Sequence, residues 1–233
     1  MQRKIRQSQT VVPFGVGAIF DFKGESLVAC DTFRWGPRGE RIQSERLAAV
    51  RDAVGPGFEI MTDANQCFTV DEAIRRAERL RDIDLAWIEE PLPADDIDGH
   101  VRMARATSTP VAIGESLYSI RHFREYMQKG GCSIVQVDVG RIGGITPWLK
   151  VAHAAEAFDM PVCPHFLMEL HVSLVCAVQN GKYVEYIPQL DNLTGGRMTI
   201  EDGRALAPTE PGNGIDWDWD AIASMSIPEF TRE

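Results

Sequence analysis

Residues 59–65 read Glu-Ile-Met-Thr-Asp-Ala-Asn, a strand-length run from Glu59 to Asp63 that ends on an acid where the chain turns. The pattern recurs along the chain. Leu85 to Glu89 and Val111 to Glu115 each end on a glutamate, and Ser133 to Val139 carries Asp138 near its end. Val162 to His165 ends on a histidine, and Tyr183 to Ile187 contains Glu185. With Ser26 to Phe33 upstream, the pattern predicts seven strands. Segments of helical length separate them, at 44–54, 70–81, 95–106, Ser119 to about Lys129, 147–158 and 169–179. Leu47, Val50, Ala53 and Val54 share one face of the first, and Ala73, Ile74, Ala77 and Leu80 share one face of the second. Short apolar strands alternating with amphipathic helices are the mark of an α/β protein. Runs such as Ile134-Val135-Gln136-Val137, apolar on more than one face, suit parallel strands covered by helices.

A repeating parallel series either closes into a barrel or opens into a doubly wound sheet. The placement of chemistry-bearing residues decides between them. Asp63, Glu89, Glu115, Asp138, His165 and Glu185 fall at or next to predicted strand ends, separated by 26, 26, 23, 27 and 20 residues. Each gap is one strand and one helix. A barrel points six consecutive strand ends at one shared mouth, whereas an open sheet spreads them in steps of about 4.8 Å. The chain also lacks G-x-G-x-x-G, G-x-x-x-x-G-K-[ST] and G-x-S-x-G, which removes the usual nucleotide and serine-hydrolase signatures of open sheets.

Composition narrows the partners. In 233 residues, 34 acids outweigh 24 bases for a net charge of -10, and no long Lys/Arg block occurs. Such a surface argues against nucleic acid or an anionic membrane as the main partner. No window approaches the roughly 18 to 20 consecutive apolar residues that span a bilayer, so the reading is of a soluble, cytoplasmic protein. Five cysteines, Cys30, Cys67, Cys132, Cys163 and Cys176, are widely spaced without a C-x-x-C, which indicates neither a disulfide framework nor a thiolate zinc site.

Three carboxylates converging from adjacent strands repel one another unless a cation sits among them. Asp63, Glu89 and Glu115 therefore imply a divalent metal. All-oxygen ligation suits Mg²⁺, with Mn²⁺ possible, rather than zinc. Asp138 and His165 end neighbouring strands, where the carboxylate orients the imidazole and makes it a general base near neutral pH. Glu185, across the mouth from Asp63, either hydrogen-bonds a developing oxyanion, orients the substrate, or anchors a loop. Asn65 binds a substrate hydroxyl or turns the chain. Arg34 faces an anionic substrate or is a solvated loop residue. Glu90 alternates to the other side of its strand, and His171, inside the next predicted helix, reads as structural.

With these residues in place the chain resembles the enolase superfamily, in its mandelate racemase and acid-sugar dehydratase branch. The likeness covers about residues 26 to 220 and rests on Met61-Thr62-Asp63-Ala64-Asn65, Trp87-Ile88-Glu89-Glu90-Pro91, Ile113-Gly114-Glu115, Gln136-Val137-Asp138, Arg141-Ile142-Gly143-Gly144-Ile145-Thr146, Pro164-His165 and Val184-Glu185-Tyr186. It implies a TIM-type (β/α)7β barrel over residues 26–215, preceded by a short segment, 1–25, and followed by a C-terminal segment, 216–233. It implies Asp63, Glu89 and Glu115 as Mg²⁺ ligands, Asp138 and His165 as the acid/base dyad, and Glu185 beside the substrate carboxylate. The expected chemistry is abstraction of the proton α to the carboxylate of a small-molecule acid, most simply a sugar acid, with a metal-stabilised enediolate. An oligomer is also implied.

Two departures shape the expectation. Family members carry an N-terminal α+β capping domain that closes over the substrate, and at most 25 residues precede the first matched strand here, so that domain is expected to be largely missing. Trp217 to Phe230, which resembles the segment that packs on it, is expected to be partly uncovered. Many relatives also place Lys-x-Lys at the end of the second barrel strand, where this chain has Cys30 and Thr32 with Asp31 between. A racemase or epimerase needs a base on each face, whereas a dehydratase can use His165 twice. Dehydration is the expected reaction, with racemisation or an inactive metal-binding barrel as the alternatives.

Overall fold

The computed structural model describes residues 18–21, 26–30, 37–196, 198–201 and 203–225. Strand and helix alternate as the spacing predicts. β1 (Ala18–Asp21) and β2 (Ser26–Cys30) are followed by α1 (Pro37–Val54), β3 (Glu59–Asp63), α2 (Val70–Arg79), β4 (Leu85–Glu89) and α3 (Ile97–Ala106). Next come β5 (Val111–Ile113), α4 (Ile120–Lys129), β6 (Ile134–Val135), α5 (Ile145–Glu156), α6 (Met168–Cys176) and β7 (Tyr183–Tyr186). A hairpin, β8 (Ile200–Glu201) and β9 (Arg204–Ala205), and a last helix, α7 (Trp219–Met225), complete the described chain.

Strands β2 to β6 pair in sequence order, each parallel to the next. Val135 then bridges Val162, and Val162 bridges Gly181 just before β7. β7 pairs antiparallel with β1, and β1 lies against β2. The strands thus run round a closed ring, the TIM-type α/β barrel.

The ring differs from the expectation in two places. β1 lies upstream of the first predicted strand; it is only four residues long and, among the described residues, no helix lies between it and β2, so the βα rhythm does not announce it. The strand predicted at 162–165 is reduced to the bridging residue Val162, and β6 is two residues long where 133–139 was predicted. Pro161 and Pro164 flank Val162-Cys163, and a proline brings no N–H to a ladder. Helix ends shift by a few residues. α1 begins at Pro37, which is tolerated in a first turn, and α2 stops at Arg79 before a 3₁₀ turn, Arg81–Ile83.

Two apolar layers follow from the period of two along each strand. Met61, Trp87, Ala112, Ile134, Cys163 and Tyr183 fill the barrel interior. Ile60, Ile88, Val111, Ile113 and Val135 face outward, where Met103, Phe123 and Trp148 of the helices cover them. Each such buried side chain contributes about 1.5–3 kcal/mol. Thr69, Asp96 and Ser119 cap α2, α3 and α4 by accepting from the backbone N–H of Glu72, Gly99 and Arg121. Below the barrel, Arg51 of α1 donates to the carbonyls of Gly55, Phe58, Ile83 and Asp84, which joins α1 to the entries of β3 and β4.

The C-terminal segment lies open as expected, with Trp219 71% exposed and Met225 58% exposed. Residues 226–230 lie outside the described residues. Among the described residues, no helix is long and apolar enough to cross a membrane.

Candidate active site

The interior columns of the barrel lead directly to the mouth. Two residues beyond Met61, Trp87, Cys163 and Tyr183, on the same strand face, stand Asp63, Glu89, His165 and Glu185; beyond Ile134 the column continues through Gln136 to Asp138. β5 breaks this parity. From Ala112 the next inward position is Gly114, and Glu115 is one residue further. Gly114 has φ +150°, and a Cβ on it would lie 2.6 Å from the Gln136 carbonyl carbon, so only glycine lets β5 end tightly against the next strand. That turn brings Glu115 to the mouth out of step with the ladder.

On the β3–β5 side the acids are crowded. Asp63 and Glu89 are directly paired across β3 and β4, and both are buried. Burial first, then the charges of Asp63, Glu185 and Glu115, raise the Glu89 carboxyl well above its ordinary value, with Gln136 pulling the other way by hydrogen bonding. Asp63 accepts from the Asn65 N–H at 2.7 Å, and Asn65 is exposed with φ +46°, so the turning role of Asn65 is the one visible here. Glu90, facing away from the mouth, is buried and accepts from Gln66 Nε2 at 2.9 Å and from Ser116 Oγ at 3.2 Å. Gln66 Oε1 in turn accepts from the Ala94 N–H. This network ties together the loops that follow β3, β4 and β5.

On the other side, His165 Nδ1 and Asp138 Oδ2 are 2.8 Å apart. Asp138 Oδ1 accepts from the N–H groups of Gly140 and Arg141. Burial works to raise the Asp138 pKa, but the hydrogen bonds from His165, Arg141 and Gly140 outweigh it and hold the carboxyl below its usual range. Burial likewise works to lower His165, yet Asp138, Glu115 and Glu185 together raise it. Glu185 Oε2 accepts from the Phe166 N–H at 2.6 Å; burial raises its carboxyl, against the pull of His165 and that N–H. Glu115 Oε2 lies 3.4 Å from His165 Nε2, and its Oε1 pairs with Arg141 Nη1 at 3.3 Å.

All six strand-end residues singled out in the sequence therefore surround one mouth. Arg34 lies outside the described residues. Asp63, Glu89 and Glu115 offer oxygen donors alone, and Glu89 is buried beside the charges of Asp63, Glu185 and Glu115, the setting a hard divalent cation satisfies. As the side chains stand, no three acids, histidines or cysteines among the described residues converge closely enough to hold an ion. Glu115 is turned toward Arg141, whose guanidinium supplies positive charge, and toward His165. Arg141 and Gln136 are site residues that sequence spacing assigned no role, because each lies off the strand-end count; their place in the quoted motifs was the available signal.

The family model described as Enolase C-terminal domain-like matches residues 25–221. The chain belongs to that family. L-talarate/galactarate dehydratase of Salmonella typhimurium is 38% identical over 170 residues, covering 73% of this chain and 43% of that protein. A racemase from Streptomyces coelicolor A3(2) with bound magnesium superposes with TM-score 0.82 at 32% identity, over 88% of this chain and 56% of that one. L-Talarate dehydratase from Polaromonas sp. JS666, complexed with Mg and L-glucarate, gives TM-score 0.78 at 34% identity, over 89% and 53%. The chain spans about half the length of the curated relatives it matches.

Proposed function

We propose that this barrel carries out dehydration of a sugar acid, with Asp63, Glu89 and Glu115 holding Mg²⁺, a set that also accepts Mn²⁺. The observation that carries the reading is the 2.8 Å contact of His165 with Asp138, in the same mouth as the paired, buried carboxylates of Asp63 and Glu89. When bound, the cation supplies positive charge that offsets the negative charge building on the substrate carboxylate. His165 Nδ1–H donates to Asp138, which leaves Nε2, 3.4 Å from Glu115 Oε2, as the end of the ring that can take a proton. Nε2 takes the proton α to the carboxylate, and the resulting imidazolium is balanced by Asp138, Glu115 and Glu185. The same imidazolium returns its proton to the β-hydroxyl, which leaves as water, and the enol product tautomerises to a 2-keto-3-deoxy acid. Relatives named as talarate and galactarate dehydratases, and one complexed with L-glucarate, support a sugar acid as substrate.

Dehydration is favoured over 1,1-proton transfer because the sequence has Cys30 and Thr32 where many relatives carry the Lys-x-Lys pair that supplies a second base. The test is release of 2-keto-3-deoxy acid from a panel of sugar acids with Mg²⁺, alongside Glu115→Ala and His165→Asn. Turnover that either change abolishes, His165→Asn costing about 10²–10⁴-fold in kcat, is the expected result. Deuterium entering recovered substrate without keto acid points to a racemase instead. No turnover on any acid, with Mg²⁺ bound, leaves a metal-binding barrel.

A further inference from the structure

His171 lies in α6, six residues beyond His165, and is fully buried. Both of its ring nitrogens are engaged. The Val139 N–H donates to Nε2 at 3.0 Å, and Nδ1 lies 2.6 Å from the Phe166 carbonyl oxygen. A backbone N–H can only donate and a carbonyl can only accept, so Nε2 is bare and Nδ1 carries the proton. The hydrogen bonds thus select one neutral tautomer. Val139 directly follows Asp138, and Phe166 directly follows His165. A single imidazole therefore bridges the residues next to both members of the dyad.

The rest of the neighbourhood makes this bridge consequential. No strand ladder reaches His165, since pairing on that segment is limited to Val162. Phe166 and Leu167 adopt φ +58° and +31°, conformations that persist in ordinary residues only where surroundings impose them. The Phe166 backbone is held on both sides of its Cα, its N–H by Glu185 and its carbonyl by His171. Trp148, with ring centroid 6.1 Å from that of His171, donates from Nε1 to the Val137 carbonyl and fixes the same stretch from behind.

We infer that His171 is a positioning residue: as a neutral, Nδ1-protonated imidazole it holds the loops after β6 and Val162 in register, so that His165 stays within reach of Asp138. A protonated His171 presents two donors and must abandon the Val139 N–H. Burial, which drives its pKa down to about 4, keeps it neutral. The kinetic consequence rests on the proposed dehydratase reading; the geometric one does not.

The test uses the full chain labelled with ¹⁵N. Long-range ¹H–¹⁵N spectra of the wild type near neutral pH are expected to show His171 neutral and protonated on Nδ1; an Nε2-protonated or cationic ring overturns the inference. His171→Leu, compared with His171→Gln, then tests the effect on the dyad. The downfield Nδ1–H proton of His165, the signature of its bond to Asp138, is expected to be lost in the leucine variant. Glutamine, which offers one acceptor and one donor, is expected to restore it. Where a sugar acid is turned over, kcat of His171→Leu falls about 10–100-fold with KM unchanged. A folded leucine variant that keeps the His165 resonance overturns the inference. If that variant does not fold, the wild-type tautomer decides. Absence of turnover in the wild type contradicts the dehydratase reading and leaves both spectroscopic outcomes intact.

Discussion

Asp63 and Glu89 extend from paired strands, facing each other across the β3–β4 ladder, whereas Asp138 and His165 stand beyond the last ladder contacts of their segments. The first pair is placed by backbone register. The second is placed by side chains, through Asp138 on His165, Glu185 on Phe166, and His171 on Val139 and Phe166. The contrast suits the two tasks proposed for these residues. Crowded acids that grip a cation need fixed spacing and tolerate strong mutual repulsion once the charge is supplied, while a group that moves a proton needs a controlled tautomer and orientation.

The largest expected effect falls on the side-chain arc. His171, with a folded pKa of about 4 against an ordinary 6.5, leaves the unfolded chain binding a proton that the folded chain refuses between those values. Titration of His171 therefore leaves stability unchanged above about pH 6.5 and lowers it as pH falls, by about 3 kcal/mol near pH 4. Asp138, which favours the charged ring, and His165, which opposes it, face His171 and are included in that balance. Urea unfolding of the wild type and His171→Gln near neutral pH and near pH 4.5 checks it. His100, also buried and lowered, is common to both proteins and cancels in the difference. Equal pH slopes for the two proteins break the contrast.

A smaller effect is expected on the ladder arc. Gly114→Ala places a Cβ 2.6 Å from the Gln136 backbone and forces β5 and β6 apart, at a cost of about 1–3 kcal/mol. Because this turn presents Glu115, Mg²⁺ affinity is expected to fall with stability, as thermal melts with and without Mg²⁺ will show. Outside the barrel, the Arg102–Asp71 pair joins α2 and α3 at 3.3 Å with both side chains exposed. Asp71→Ala is expected to change stability by less than about 0.5 kcal/mol, measured by the same unfolding titrations, and serves as the baseline.

Much of the ladder arc was legible in the chain itself. Asp63, Glu89 and Glu115 recur at one strand-and-helix spacing, and the apolar residue two positions before Asp63 and Glu89 signals the inward face. The side-chain arc was legible in its end products, Asp138, His165 and Glu185, and less so in its supports. Nothing in the periodicity of α6 distinguishes a histidine that bridges two loops from one that merely fills the core. Its role depends on where Phe166 and Leu167 turn, and that turn is set by tertiary contacts. Arg141 was hidden for a similar reason, since its reach to Glu115 crosses from one strand-end loop to another. The βα rhythm does not announce β1, because among the described residues no helix lies between it and β2, and the segment 162–165 keeps a single bridging residue because Pro161 and Pro164 bring no N–H to a ladder.

Calorimetric titration of Mg²⁺ into the wild type, Glu89→Gln and His165→Asn tests the division of labour most directly. The wild type and His165→Asn are expected to bind Mg²⁺ with the same affinity, and Glu89→Gln to bind at least about tenfold more weakly. Failure of the wild type to bind, or equal weakening by both substitutions, would contradict a site in which one arc holds the cation and the other moves the proton.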